Sequence, residues 1–398
     1  MIKGYQKKII NNKPLYQKIT QNKINNIDTV IFDCDGVLID TKKSYDKCVE
    51  LTISYILKNM LNKKFSKFKI SKTTIDLFRK TGGFNNDYKC CYVIILKSIS
   101  VIPKNLIKSY KVEYQNINKK NILNSFKKLQ LIKMEINKLD RESDFNIINQ
   151  KLTKELNKFA KEIKRIDLES IENLIMIGLN KEQKELVKVT KEFLNYPKNS
   201  KTNIIINVFD EYFYGKNLIK KVRKKKSIDF NRKGTIESEK IIVKESTLVF
   251  LKKKFLNKIS IVSGRGQIGT KITLKNLYKY FNSRGNGFIE DLAREQKNNT
   301  KFDKPNPTVL KRSVSRLKSK GNILYVGDSM EDLLMIQAAN STRNKQYLFA
   351  GIYGTSRSEQ NKIKLFMDNK ADIIISNMND IPKLISERIE RSRNIKKN

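Results

Sequence analysis

Histidine is absent from the 398 residues, which removes His-based triads, imidazole metal ligands and imidazole general bases. Any proton transfer must use a carboxylate, Lys, Tyr or Cys. Cysteine is scarce. Cys34, Cys48, Cys90 and Cys91 show no C-x-x-C pair and no zinc spacing, so neither a disulfide framework nor a zinc site is expected, and a reducing cytoplasm fits. Long apolar runs are missing as well. The opening MIKGYQKKIINNKPLYQ lacks the apolar core of a signal peptide and no window approaches a membrane span, so a soluble cytoplasmic protein without a membrane partner is expected. Acidic residues are few, 40 against 82 Lys+Arg, for a formal net charge of +42. Such an excess raises nucleic acid or polyphosphate as a partner. The basic residues are mostly Lys, however, spread among Ile and Asn without a focus, so a compositional bias is the favoured reading and a polyanion site the less favoured one. The run from Lys220 to Lys226 is the best candidate for such a site.

What is present is a chain with 39% hydrophobic residues, enough for a real core in one large or two ordinary domains. Residues 1 to 26 are basic, Asn-rich and weakly patterned, and read as an extension that packs loosely if at all. Thr29 to Phe32 is a β-branched and aromatic run halted by Asp33-Cys34-Asp35-Gly36, the profile of a buried strand ending in a polar loop. Ile259 to Val262, Ile323 to Val326, Tyr347 to Ala350 and Ile373 to Ile375 share that form. Helical spacing between several of them, as in Met330 to Ala339, predicts an α/β fold with a parallel sheet, crossover helices and polar groups at the carboxyl edge. The first two strands are separated by far more chain than a crossover needs, which predicts an inserted domain. From about Leu106 to Leu194 the insertion is rich in Lys and Glu, with Leu and Ile at three- and four-residue steps. It reads as helical with a hairpin-like portion. That pattern suits an intramolecular helix pair and a pairing of two copies equally, so the oligomeric state is left open.

Polar residues collect at the predicted strand ends. Asp33 and Asp35 form a D-x-D-G that one strand-end loop can present to a single pocket, or that serves as an Asx-type turn. Ser263, with Gly264 after it, offers a hydroxyl and open backbone N–H groups to a phosphoryl oxygen, or an N-cap to the next helix. Lys304 precedes Pro-Asn-Pro, whose rigid backbone fixes a cation, although a lone Lys is usually solvated. Asp328 and Asp332, in Gly-Asp-Ser-Met-Glu-Asp, lie at a strand end and one turn on, facing one pocket or capping the Met330 helix.

The four motifs FDCDGVL, IVSGR, KPNP and YVGDSMED, in this order and each at a strand end, resemble the four motifs of the haloacid dehalogenase (HAD) superfamily. The resemblance covers residues 27 to 42 and about 245 to 385. It implies a Rossmann-like catalytic core formed by 27–42 and 245–398, with a central parallel sheet flanked by helices. It further implies a mainly α-helical cap at 43–244, as in phosphoglycolate-phosphatase-like members. Within the cap, Gly82-Gly83-Phe84-Asn85-Asn86-Asp87-Tyr88 is similar to a signature of a HAD subgroup. By that resemblance Gly82, Gly83, Asn85, Asn86 and Asp87 form a substrate loop; otherwise they are ordinary turn residues joining two cap helices.

The resemblance implies a magnesium-dependent phosphatase acting on a small phosphorylated metabolite, phosphoglycolate-like or a sugar phosphate. Asp33 is then the nucleophile and Asp35 the general acid and base. Asp33, the backbone carbonyl of Asp35 and Asp328 are the Mg2+ ligands, with Ser263 and Lys304 holding the phosphoryl group and Asp332, Gly264 and Ser329 supporting it. An acid at Asp35 argues against dehalogenation. A phosphomutase on the same core is the alternative, weakened by the missing cap His of β-phosphoglucomutase relatives. A basic nucleic-acid or polyphosphate binder retaining this core is a further one.

Overall fold

The computed structural model describes the chain apart from residues 1–3, 62–69, 82–83, 85, 140–144, 165–166, 199–201, 225–231, 296–301, 342–345, 357 and 387–398, and apart from the side chains of 80, 145–149 and 293–294. It divides into two compact units, one formed by Met1–Lys42 with Glu239–Asn398 and the other by Lys43–Ser238. The first is a mixed α/β unit. Its strands are β1 (Gln6–Ile10), β2 (Lys13–Gln17), β3 (Ile27–Phe32), β4 (Ile39–Asp40), β5 (Lys240–Ile241), β6 (Ile259–Ser263), β7 (Gly287–Phe288), β8 (Asn322–Gly327), β9 (Tyr347–Ile352) and β10 (Ile373–Ile375). Eight of them form one sheet in the order β1-β2-β10-β9-β8-β3-β6-β7, while β4 and β5 pair separately. From β10 to β7 all neighbours are parallel.

The pleat explains why these strands read as continuous apolar runs. Val30, Phe32, Ile259, Ile261, Leu324, Val326, Leu348, Ala350, Ile373 and Ile375 fill the core on one face of the sheet. The alternate residues Ile31, Val262, Ile323, Tyr325, Phe349 and Ile374 fill the core on the other. With both faces covered, every position is apolar and period-two alternation disappears.

Two expectations from the sequence are corrected. Residues 6–17 are not a loose extension: β1 and β2 form an antiparallel hairpin, and β2 extends the sheet by pairing with β10, Gln17 opposite Ile373 and Tyr16 opposite Ile374. Leu15 and Ile10 are buried in the core, which anchors the hairpin. The turn is Asn11-Asn12 at φ 50° and 60°, the left-handed pair that a two-residue hairpin loop needs. Second, the inserted segment ends at Ser238, not at 244. Glu239 and the residues after it belong to the first unit, where β5 pairs with β4, Ile241 opposite Ile39 and Lys240 opposite Asp40.

Among its described residues the second unit is built of helices and their connections, with one isolated bridge between Gly215 and Lys233 where Gly215, at φ 65°, kinks the helix Ile204–Arg223. The helical pattern expected from about Leu106 to Leu194 is met by helices Lys104–Lys119, Ser125–Lys138, Phe145–Glu162, Leu168–Met176 and Lys181–Leu194. Helices Tyr45–Met60, Lys72–Lys80, Asp87–Ser100 and Ile204–Arg223 extend it on both sides. Asp87–Ser100 is the central one. Its residues Cys90 to Leu96 are buried without interruption, as a helix must be when it is apolar all round. Tyr114 ties its helix to a neighbour by donating to the Met60 carbonyl at 2.7 Å. No helix among the described residues is long and apolar enough to cross a membrane.

Candidate active site

From β3 the chain continues to β6 and β7 on one side, whereas β8, β9 and β10 lie on the other, so the winding reverses between β3 and β8. The carboxyl ends of strands at such a reversal splay apart and leave a crevice. Asp33 follows β3, Ser263 ends β6, and Asp328 follows β8. These residues therefore converge because neighbouring parallel strands end at one edge.

Asp33 is held in register by its own N–H, which donates to the Val326 carbonyl at 2.8 Å. The following loop is tight: Leu38 and Ile39 both donate to the Cys34 carbonyl, at 2.8 and 3.0 Å, and Gly36 donates to Ile39 at 2.8 Å. Gly36 adopts φ +75°, a conformation glycine takes without strain. Thr355 fixes the loop from outside by donating to the Gly36 carbonyl at 2.9 Å.

Lys304 is buried and shared by two carboxylates. Its Nζ lies 2.7 Å from Asp332 Oδ1 and 3.1 Å from Asp33 Oδ1. Asp332 is further held by Tyr325, whose hydroxyl approaches its Oδ1 at 3.1 Å, and by Ser329, whose hydroxyl donates to its Oδ2 at 2.8 Å. Ser329 and Asp332 also form a reciprocal capping box at the start of helix Met330–Asn340. Capping and site-building are thus the same contact. The Ser263 hydroxyl accepts from the Arg265 N–H at 3.4 Å and favours the charged form of Asp33. Gly264 has open space where a β-carbon would project.

Carboxylate oxygens of Asp33, Asp328 and Asp332 all lie within 4.8 Å of one another. Burial lifts Asp328 to about 7, against the pull of Lys362, with Asp332 and Asp33 adding repulsion. Burial also lifts Asp33 above the carboxylate range, opposed by Lys304 and reinforced by Asp332 and Asp35. Asp332 falls below that range, because Lys304 and the Ser329 hydrogen bonds outweigh its burial. Lys304 stays charged: burial disfavours its ammonium, and Asp33 and Asp332 more than compensate. Asp33 and Asp332 thus share the Lys304 ammonium, and with Asp328 beside them three carboxylates crowd around it. Hard oxygen donors in a carboxylate-rich cleft are what Mg2+ takes, so the residues fit that ion.

Asp35 occupies the same edge and is lifted to about 6 by loss of surrounding water, against the attraction of Arg265. Arg265 Nη1 donates to Asp35 Oδ1 at 3.0 Å. In the sequence Arg265 stands out only as part of IVSGR, and nothing singles out Glu239 or Tyr325. Arginine is usually exposed, so nothing local marks a buried one. The signal that was available is position, since Arg265 lies two residues beyond Ser263 at a strand end.

The Gly-Asn segment is described only in part: Gly82, Gly83 and Asn85 lie outside the described residues. Asn86 caps helix Asp87–Ser100 by accepting from the Lys89 N–H at 3.2 Å. Asp87 pairs with Arg79 at 2.7 Å, and Arg79 also pairs with Asp46. In the run Lys220 to Lys226, Lys225 and Lys226 lie outside the described residues, and Arg223 is engaged by Asp210 at 2.6 Å.

No family model and no curated protein matches this chain. Among solved structures, a crystal structure determined as a Northeast Structural Genomics Consortium target is similar at a TM-score of 0.62 and 17% identity, covering 92% of this chain and 100% of that one. At that identity the likeness shows the fold alone.

Proposed function

We propose that this chain is a magnesium-dependent phosphoric monoester hydrolase with a HAD-type core and a helical cap, acting in the cytoplasm on a small phosphorylated metabolite. The observation that carries the reading is the grouping of Asp33, Lys304, Asp332 and Asp328 at the reversal of the parallel sheet, with Asp35 beside them. A structural cluster needs no such excess of buried carboxylates, which costs stability unless a cation or an anionic substrate with its counter-ion belongs there.

Asp33, Asp328 and the backbone carbonyl of Asp35 would hold Mg2+. Bound there, the ion would offset repulsion between the carboxylates and a phosphate and polarise the phosphoryl oxygens. A carboxylate oxygen of Asp33 attacks phosphorus in line. The bond to the ester oxygen breaks, and Asp35 gives that oxygen a proton. Asp35 then takes a proton from water, whose oxygen attacks the aspartyl-phosphate and releases inorganic phosphate and free Asp33. Lys304 neutralises the transferring group and Ser263 orients it, which is most of what phosphoryl transfer asks of a protein. Asp332 keeps Lys304 aimed.

The polyanion reading has less support, because the positive excess is divided almost evenly between the two units and not gathered on one. The proposed activity is tested by phosphate release from p-nitrophenyl phosphate and a panel of sugar and carboxylic-acid phosphates, with Mg2+ and with EDTA. Release that requires Mg2+ supports it; no release from any of them by folded, Mg2+-loaded protein would count against it.

A further inference from the structure

We infer that Arg265 is a positioning residue for Asp35, anchored by Glu239 at the point where the chain returns from residues 43–238; this rests on the hydrolase reading above. The Arg265 and Glu239 side chains are 1% and 0% exposed. Arg265 Nη2 meets Glu239 Oε2 at 2.6 Å, and Nη1 meets Glu239 Oε1 at 2.9 Å, a two-pronged pairing that fixes the guanidinium plane. Thr273 Oγ1 at 3.0 Å and the Gly269 carbonyl at 3.2 Å hold Nη2 from the following helix. Thr273 also donates to Glu239 at 2.6 Å. What remains directed outward is Nη1, 3.0 Å from Asp35 Oδ1, while the Asp35 side chain is 30% exposed.

The arrangement is costly as a packing device, since an apolar pair would fill the same space without desolvating two charges. It does suit the aiming of a partly exposed carboxylate. Glu239 satisfies the charge of Arg265, so the guanidinium presents Asp35 with a fixed N–H direction.

The anchor is also placed to sense the crossing strands. Glu239 directly precedes β5, which pairs with β4, and β4 directly follows the Asp35 loop, with Asp35 itself bridged to Ile39. The two strands by which the chain leaves and rejoins the sheet unit therefore meet at the residues that hold Asp35. A planar fork is required for this, and lysine does not supply it.

Single-turnover release of the alcohol from glycerol 2-phosphate and of p-nitrophenol from p-nitrophenyl phosphate tests the inference, because only the poor alkoxide leaving group needs a well-placed acid. Arg265→Lys is expected to slow the alkyl ester by on the order of 10²-fold and the aryl ester by no more than a few-fold. Glu239→Gln should shift the ratio in the same direction by less, and it decides the matter if Arg265→Lys does not fold. Equal slowing of both esters in a variant whose circular dichroism and Tm match the wild type would overturn the positioning role while leaving the hydrolase reading intact. A wild type that releases neither leaving group, and no phosphate from the sugar and carboxylic-acid phosphates, would overturn the hydrolase reading, and this inference with it.

Discussion

A β-carbon on Gly36 would lie 2.5 Å from the carboxyl carbon of Asp328, so the site closes around that carboxylate only because residue 36 has no side chain. Gly36→Ala would push Asp328 away from Asp33 and strain a backbone at φ +75°. The variant is expected to lose about 1 to 3 kcal/mol of stability and most of any Mg2+-induced rise in Tm, read by thermal melting with and without the ion. An unchanged Mg2+ shift would contradict the assignment of Asp328 as a ligand.

Lys304 neutralises two buried carboxylates, and Lys304→Met would leave both without their cation. The expected cost at neutral pH is about 3 to 5 kcal/mol, with loss of turnover. As the pH falls, Asp33 and Asp332 take up protons and no longer need the ammonium. The stability gap to the wild type should narrow in acid, as urea melts across a pH series would report.

The same logic applies in the helical unit, where Arg79 bridges Asp46 and Asp87. Removing the guanidinium in Arg79→Met should destabilise the protein by about 3 kcal/mol or more. The additional substitutions Asp46→Asn and Asp87→Asn should recover part of that loss. No recovery in the triple variant would show that Arg79 contributes through packing, not charge.

Asp28 gives the clearest dependence on pH outside the site. Its carboxylate accepts from Ser319 at 2.5 Å, the Lys320 N–H at 2.8 Å, Thr29 at 2.8 Å and Lys258 at 3.0 Å. Burial works against the charged form, but these donors outweigh it and hold the group well below the usual carboxylate range. A depressed folded value stabilises fully above the unfolded value of about 3.9, and the contribution is lost as the pH falls from there toward the folded value. Asp28→Asn should cost about 1.5 to 3 kcal/mol near neutrality. It should be nearly neutral in strong acid, as denaturant melts at each pH would measure.

The strand ends were legible because each buried strand is an apolar run stopped by a polar loop, as at Phe32-Asp33 and Val326-Gly327-Asp328. The shared pocket followed from parallel order, and Lys304 from the prolines after it. The hairpin at residues 6–17 was obscured by lysines on short strands, although Asn11-Asn12 between two strand-like runs is a readable turn signal. The Arg265–Glu239 pair was not legible at all. Its members lie apart in the chain, and the Asp35 that they serve lies on the far side of the insertion, so no local period connects the three. The end of the insertion at Ser238 is hidden for the same reason, since the pairing that draws Lys240 and Ile241 into the sheet unit is made with Ile39 and Asp40.

Phosphorylation of Asp33 is tested by rapid-quench trapping of the phosphoryl group from ³²P-labelled substrate with Mg2+ present. The wild type should carry a label that hydroxylamine removes, as an acyl phosphate requires, that maps to the peptide holding Asp33, and that is absent from Asp33→Asn. Phosphate release persisting in Asp33→Asn, or a label carried by another residue, would contradict it.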